Sequence, residues 1–338
     1  MRRRSVLACL LALSALSSLA AAQTITIKFS HVVAPDTPKG KAAAKFKELA
    51  EAATKGRVKV EIYPNSQLYK DGDELEALQR GAVHMLAPSV SKFGPMGVRD
   101  FEVFDLPFLF PTADAAYRVL DGAIGRQLFA KLEPKGIRGL AYWDNGFKQI
   151  SANKPLHRPA DFRAMKLRVQ SSKVLSATFR KLGAIPQVMA FSEVYPALQQ
   201  GVVDGQENSV SNLYTQKMHE VQKHLTISDH GFLVYAVIAN RKFWDGLPAD
   251  IRTALDGAMR EATQYERAIA AKENTDALAA VKKAGTTQVY VLTPAERDEW
   301  RKALLPVRRD FEGTIGRELI QAVETEAARV PAVAPAKK

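Results

Sequence analysis

Arg168 stands in Lys166-Leu167-Arg168-Val169-Gln170, an alternating run that predicts a β-strand. A guanidinium presents a planar fork that pairs two N–H groups with two carboxylate oxygens. On pattern alone the residue is equally well a solvated strand arginine. Asn208 follows a predicted strand and the Asp204-Gly205 turn. Its side-chain amide can donate to a carboxylate, or simply cap a strand end. Lys39 lies in the first turn of a predicted helix, where free N–H groups and the helix dipole favour anions. An exposed lysine is the plain alternative. His31, Ser89, Ser91 and Lys92 fall at predicted strand ends and compete for the same role; His230 and Tyr235 are weaker candidates. Asp204 and Glu207 offer a carboxylate pair of the kind used in glycoside hydrolysis. They read better as turn and scaffold residues, because a carboxylate in the cleft would repel an anion.

The usual marks of catalysis are missing. No Gly-x-Gly-x-x-Gly turn follows a strand, and there is no Walker loop or Gly-x-Ser-x-Gly elbow. His219-Glu220 is followed at 223 by lysine, so the zinc-protease pattern fails. The six histidines show no metal-ligand spacing. No cofactor is expected.

The elements that position these residues alternate between strand and helix. Ile25-Thr26-Ile27-Lys28-Phe29 and Val58-Lys59-Val60-Glu61-Ile62 are alternating strands. Between them Thr37-Pro38 opens a helix to about Thr54, with Thr at the cap and Pro at the first helical position. Ile137–Trp143 predicts a strand, and a second set of strands and helices begins near Asn145. Phe232–Ile238 is a long apolar strand able to cross back to the first set. This order implies an α/β fold with largely parallel strands. Pro248–Lys283 carries apolar residues at Ile251, Leu255, Ala258, Ala262, Tyr265 and Ile269, a helical stripe. At about 1.5 Å per residue such a helix is roughly 54 Å long, more than one lobe of ~150 residues measures across. It should touch both lobes. Thr293-Pro294-Ala295-Glu296 has the form of a capping box for a last helix.

Four ordered motifs carry a resemblance. They are Trp143-Asp144-Asn145-Gly146-Phe147-Lys148-Gln149-Ile150-Ser151, Met165–Gln170, Ala190-Phe191-Ser192-Glu193-Val194-Tyr195-Pro196-Ala197-Leu198-Gln199, and Gly201-Val202-Val203-Asp204-Gly205-Gln206-Glu207-Asn208. Together they closely resemble the DctP family of TRAP transporter solute-binding proteins, over nearly the whole chain. The stretches from Val169 to Ser172 and from Val188 to Leu198 look most like the C4-dicarboxylate members. The resemblance implies a two-lobed periplasmic-binding-protein fold with strand hinges, a long helix spanning both lobes and no cofactor. Lobe I would comprise 23–145 with about 234–265, and lobe II 146–233 with about 266–330. It implies that Arg168 grips a ligand carboxylate, that Asn208 donates to it, and that Phe191 forms an aromatic wall or else plain core. Lys148 stands where many relatives carry arginine, so it brings charge without the fork. A dicarboxylate needs a second cation or donor from lobe I, with Lys39, His31 and Ser91 as candidates.

The ends fit export. Arg2-Arg3-Arg4, the apolar stretch Val6–Leu19 and Ala20-Ala21-Ala22 read as a signal peptide over 1–22. The only cysteine, Cys9, lies inside it, so the remaining chain has neither disulfide nor thiol nucleophile. The Pro/Ala-rich tail, 331–338, is expected to be disordered. Net charge is +12, or +9 without the three leader arginines. Acids are interspersed among the bases and export argues against nucleic acid, so a receptor that steers anions fits best. The expected function is a monomeric periplasmic receptor that hands a C4-dicarboxylate (succinate, malate or fumarate class) to a TRAP membrane permease. The alternatives are the same receptor for a 2-oxo, sugar or aromatic acid, and an exported enzyme acting on an organic acid.

Overall fold

The computed structural model describes residues 24–329. The expected signal peptide and C-terminal tail lie outside the described residues. In chain order the elements are β1 (Ile25–Ser30), α1 (Pro38–Ala53), β2 (Val58–Tyr63), α2 (Glu74–Gln79), β3 (Met85–Leu86), α3 (Ala113–Asp121) and α4 (Ala123–Ala130). There follow β4 (Ile137–Ala152), β5 (Lys166–Val169), α5 (Lys173–Lys181), β6 (Ile185–Val188), α6 (Val194–Gln199), β7 (Gly205–Asn208) and α7 (Val210–Thr215). The chain ends with β8 (His224–Asn240), α8 (Arg241–Asp245), α9 (Ala249–Ala284), β9 (Gln288–Val291), α10 (Pro294–Phe311) and α11 (Arg317–Ala328).

One sheet joins the two lobes, in the order β2-β1-β3-β8-β4-β7-β5-β6, with β9 on β8. Its wings are parallel, as the alternation of strand and helix requires. Its centre is not. β4 runs antiparallel to both β8 and β7, and β8 antiparallel to β3. The expectation of largely parallel strands fails there because β4 and β8, 16 and 17 residues long, each traverse both lobes in opposite directions. The first half of β4, Ile137 to Asp144, pairs with Val234–Asn240; its second half pairs with 224–232. The predicted strand Ile137–Trp143 thus does not stop where the second set begins. It breaks register between Asp144 and Phe147 and continues.

That break is fixed by local bonds. Gly146 sits at φ 74°, a left-handed conformation that glycine adopts without a Cβ penalty. The Gly146 N–H donates to Asp144 Oδ1 at 2.7 Å, and Tyr117 donates to Asp144 Oδ2 at 2.6 Å. The long helix α9 braces the same residues. Glu266 accepts the Asp144 N–H at 3.2 Å, and Asn274 Nδ2 donates to Asn145 O at 3.0 Å.

Helix α9 has 36 residues, as its apolar stripe predicts, and ends at Gly285 in the left-handed conformation. It packs on α1 and on α7, hence on both lobes. Period-two alternation along β8 sorts its side chains: Leu233, Tyr235, Val237 and Ala239 face the cluster under α1 and α9. Phe232, Val234, Ala236 and Ile238 face a second cluster that runs on through both lobes to Phe179 and Trp300. Helix α10 opens with the Thr293–Glu296 capping box and packs on α5, while α11 packs on α3. No helix among the described residues is long and apolar enough to cross a membrane.

Candidate functional site

The lobes meet over a small cavity of about 20 Å³, little more than one water molecule. Lys39, Asp71, Ser89 and Lys92 face it from lobe I; Arg168, Gln170, Phe191 and Asn208 face it from lobe II. Tyr235 of the crossing strand β8 and Asn212 of α7 also line it, with Val32, Val33 and Leu233.

Each side chain is placed by local chemistry. Arg168 lies on β5, enclosed on both sides by β6 and β7, and is only 1 % exposed. Its Nε and Nη2 both donate to the Met189 carbonyl, at 3.1 and 2.8 Å, which fixes the plane of the fork. Its Cζ lies 5.8 Å from the centroid of the Phe191 ring. Burial pulls the guanidinium below its ordinary value, while Asp71 and Glu207 hold it up. Asn208 ends β7. Its Oδ1 accepts from the Ser209 N–H at 3.0 Å and from Asn212 Nδ2 at 2.9 Å. The carbonyl end is thereby occupied, and the amide's donor end is available to the cleft.

Lys39 follows Pro38 at the start of α1, whose Thr37 cap accepts the Gly40 N–H. A Cβ at Gly40 would lie 2.5 Å from the Ala34 and Pro35 carbonyl oxygens, so this tight entry requires glycine. The lysine side chain is buried, not exposed. Its ammonium donates to Ala87 O at 2.9 Å and sits 3.7 Å above the Tyr235 ring centroid, a cation–π contact. Burial lowers its pKa to about 8, although Glu74 and Asp71 raise it.

Asp71 is the acid that the sequence reading missed. Its Oδ2 pairs with Lys92 Nζ at 2.9 Å, accepts the Phe191 N–H at 2.8 Å and lies 3.8 Å from Arg168 Nη2. Burial pushes the carboxyl up, but Lys92, Arg168 and the Phe191 N–H outweigh it and hold the group below the usual carboxylate range. Glu74 lies behind, buried; burial and Asp71 push its carboxyl up.

Four predicted residues, Lys148, Ser91, His31 and His230, do not line the cavity; His230 is buried against Ser228 Oγ at 2.8 Å. Lys148 is buried between Glu207 Oε2 at 3.2 Å and Asp105 Oδ1 at 3.5 Å. Its stem passes so close to Gly231 that a Cβ there would sit 3.2 Å from Lys148 Cδ. Ser91 stands one bond behind the wall, accepting from Ser89 at 3.2 Å and donating to Asp105 at 2.8 Å. His31 packs edge-on to Phe29, and burial, reinforced by Lys39, lowers its pKa to about 3, so it is no cation at neutral pH. Larger cavities lie at the surface. One of about 520 Å³ between α4, β4 and α9 is lined by arginines, but acids answer them: Arg267 pairs with Asp121 at 2.5 Å, and Asp256 lies in the same wall.

The family described as bacterial extracellular solute-binding protein, family 7 (DctP), matches residues 29–314. The C4-dicarboxylate-binding periplasmic protein DctP of Rhodobacter capsulatus is 62 % identical over 314 residues, 93 % of this chain and 94 % of that one. A TRAP periplasmic solute-binding protein of Shewanella oneidensis, solved with bound succinate, superposes with a TM-score of 0.87. It is 44 % identical and the match covers 90 % of this chain and 99 % of the other. The sugar-acid-binding protein DctPAm of Advenella mimigardefordensis, solved with galactonate, superposes as well, with a TM-score of 0.88, 33 % identity and 90 % and 98 % coverage. The shared architecture therefore accommodates more than one class of acid, and the wall of the cleft has to choose between them.

Proposed function

The chain belongs to the DctP family of bacterial extracellular solute-binding proteins, and from that premise we propose that it is a receptor that captures a C4-dicarboxylate between its lobes. The observation that carries the reading is a charge count. The wall holds three buried cations, Lys39, Lys92 and Arg168, against one carboxylate, Asp71. Asp71 is engaged by Lys92. That leaves Lys39 in lobe I and Arg168 in lobe II, two charges for the two ends of a dianion. Arg168 takes one carboxylate through its fork, with Asn208 donating to the same group and Phe191 as the apolar wall. Lys39 meets the other. A sugar acid offers one carboxylate and many hydroxyls, which leaves one buried charge unpaired.

A four-carbon diacid needs more room than this cavity gives, so the lobes must part to admit it and then settle around it with the walls farther apart than here. The register break at Asp144–Phe147, with its counterpart on β8, is the place for that motion. The ligand then passes to a TRAP membrane permease from the periplasm. Binding, not turnover, is the expected activity: the dicarboxylate is recovered unchanged. A thermal-shift screen across organic acids tests the assignment, because a ligand that binds only the folded state raises the melting temperature by mass action. Succinate, malate or fumarate should shift it strongly. A shift confined to sugar acids or 2-oxo monoacids overturns the C4 assignment and keeps the receptor.

A further inference from the structure

Asp71 is an unexpected residue in a cleft that captures anions. It is buried, it faces the cavity, and its charge opposes the ligand's. Its bonds are specific. One oxygen meets Lys92 of its own lobe at 2.9 Å and the backbone N–H of Phe191, in the other lobe, at 2.8 Å. A purely structural strut for the Phe191 N–H needs only a neutral acceptor. A purely attractive cleft needs no acid at all.

We propose that Asp71 is a specificity-determining residue that sets the charge of the accepted solute: by cancelling Lys92 it leaves the cleft with two uncompensated positive charges, which match a dianion. The inference rests on the dicarboxylate reading above and deepens it. With Asp71 the closed site and a dianion sum to zero net charge. A monoanion leaves one buried charge uncompensated, and so does a dianion in a cleft that has lost Lys92 but kept Asp71, with the opposite sign. The energy at stake is large, because charges this deeply buried interact at low effective dielectric.

The test compares succinate with succinamate, which has nearly the same shape and one charge fewer. Calorimetric titration gives the ratio of their affinities for each protein. Asp71→Asn keeps an acceptor for the Phe191 N–H and removes the charge; Asp71→Ser removes the charge with a different shape. Both should increase the succinate-to-succinamate ratio at least threefold, because removed repulsion helps the dianion more, and both should improve binding of the trianion tricarballylate by a larger factor than that of succinate, because the cleft then matches three charges. Lys92→Met should lower the ratio at least threefold. The double variant Asp71→Asn/Lys92→Met should fall between the singles. Circular dichroism and a thermal melt confirm that each variant compared is folded. Ratios within twofold of wild type for both Asp71 variants, or ratios that fall, overturn the proposal and leave Asp71 as a strut. A wild-type protein with no preference for succinate over succinamate overturns the dicarboxylate reading along with it.

Discussion

Two clusters of buried charge lie side by side in this protein, linked by the short path Ser89, Ser91, Asp105. In one, a single cation, Lys148, sits between two acids, Asp105 and Glu207. In the other, three cations and one acid, Asp71, line the cavity, with Glu74 and Glu207 behind them. Both are equally hidden from solvent. The first is complete: its lysine has nothing left to bind, and its excess charge is negative. The second has cations to spare. Burying an unpaired charge costs several kcal/mol, so such a surplus is sustained where a ligand periodically cancels it. Depth of burial therefore does not tell a binding cation from a structural one, whereas the count of charge around it does.

The largest expected effect separates the clusters by stability. Lys148→Met leaves Asp105 and Glu207 facing each other with no cation, and should cost about 3–5 kcal/mol in urea unfolding. Arg168→Ala removes a surplus cation but also two hydrogen bonds to the Met189 carbonyl, and should cost less, about 1–3 kcal/mol. Equal losses in the two variants would break the comparison.

Binding should separate them the other way. Arg168→Ala should weaken dicarboxylate affinity by about 2–5 kcal/mol, the range for truncating one partner of a buried charge pair. That is roughly 30- to several-thousand-fold in Kd by calorimetry. Arg168→Lys should bind poorly too, since the charge survives and the fork does not. A loss below threefold in the folded Arg168→Ala protein removes Arg168 from the site.

Much of this was legible beforehand, for reasons that differ by residue. Strand alternation and the helical stripe gave the elements of both lobes, because burial on one face imposes those periods. Lys39 announced itself through Thr37-Pro38, a helix start that points its first turn at the cleft. The continuity of β4 did not show, because Asp144-Asn145-Gly146 reads as a turn and is in fact a register break held by α9, more than 120 residues away in sequence. Lys148 and Arg168 look alike as cations beside strands; only the third dimension brings two acids to one and leaves the other with a surplus. Asp71 was illegible for the same reason. Its partners, Lys92 and the Phe191 N–H, lie 21 and 120 positions away, and an acid near an anion site contradicts first intuition.

A pH titration sharpens the comparison at moderate cost in affinity. Burial holds the Lys39 pKa near 8, and a bound dianion must favour the ammonium. Binding should then take up a proton above about pH 8, and affinity should fall as pH rises from there, by up to tenfold per unit. Ionisation of Glu74, whose carboxyl is pushed up to about 8, acts in the same direction. Affinity that is flat from pH 7 to 9.5 would take Lys39 out of the site. The smallest effect concerns Glu266, a buried acid at the register break with no salt-bridge partner among the described residues. Burial, with Asp144 beside it, raises its pKa well above the carboxyl value. A raised acid contributes stability at low pH that is lost as pH rises through its folded value. Glu266→Gln keeps an acceptor for the Asp144 N–H and discards the proton. Its melting temperature relative to wild type should therefore climb with pH between 5 and 9. A deficit at every pH would show that the carboxylate itself is needed.

The central claim is that two surplus cations require two carboxylates. Calorimetric titration of succinate and butyrate into the same wild-type sample addresses it most directly. If the second carboxylate becomes a methyl group, one buried cation is left without a partner, at a cost well over 1–3 kcal/mol. Succinate should bind at least about 100-fold more tightly than butyrate. Equal affinities would mean that one carboxylate satisfies the cleft, and the charge count on which the account rests would be wrong.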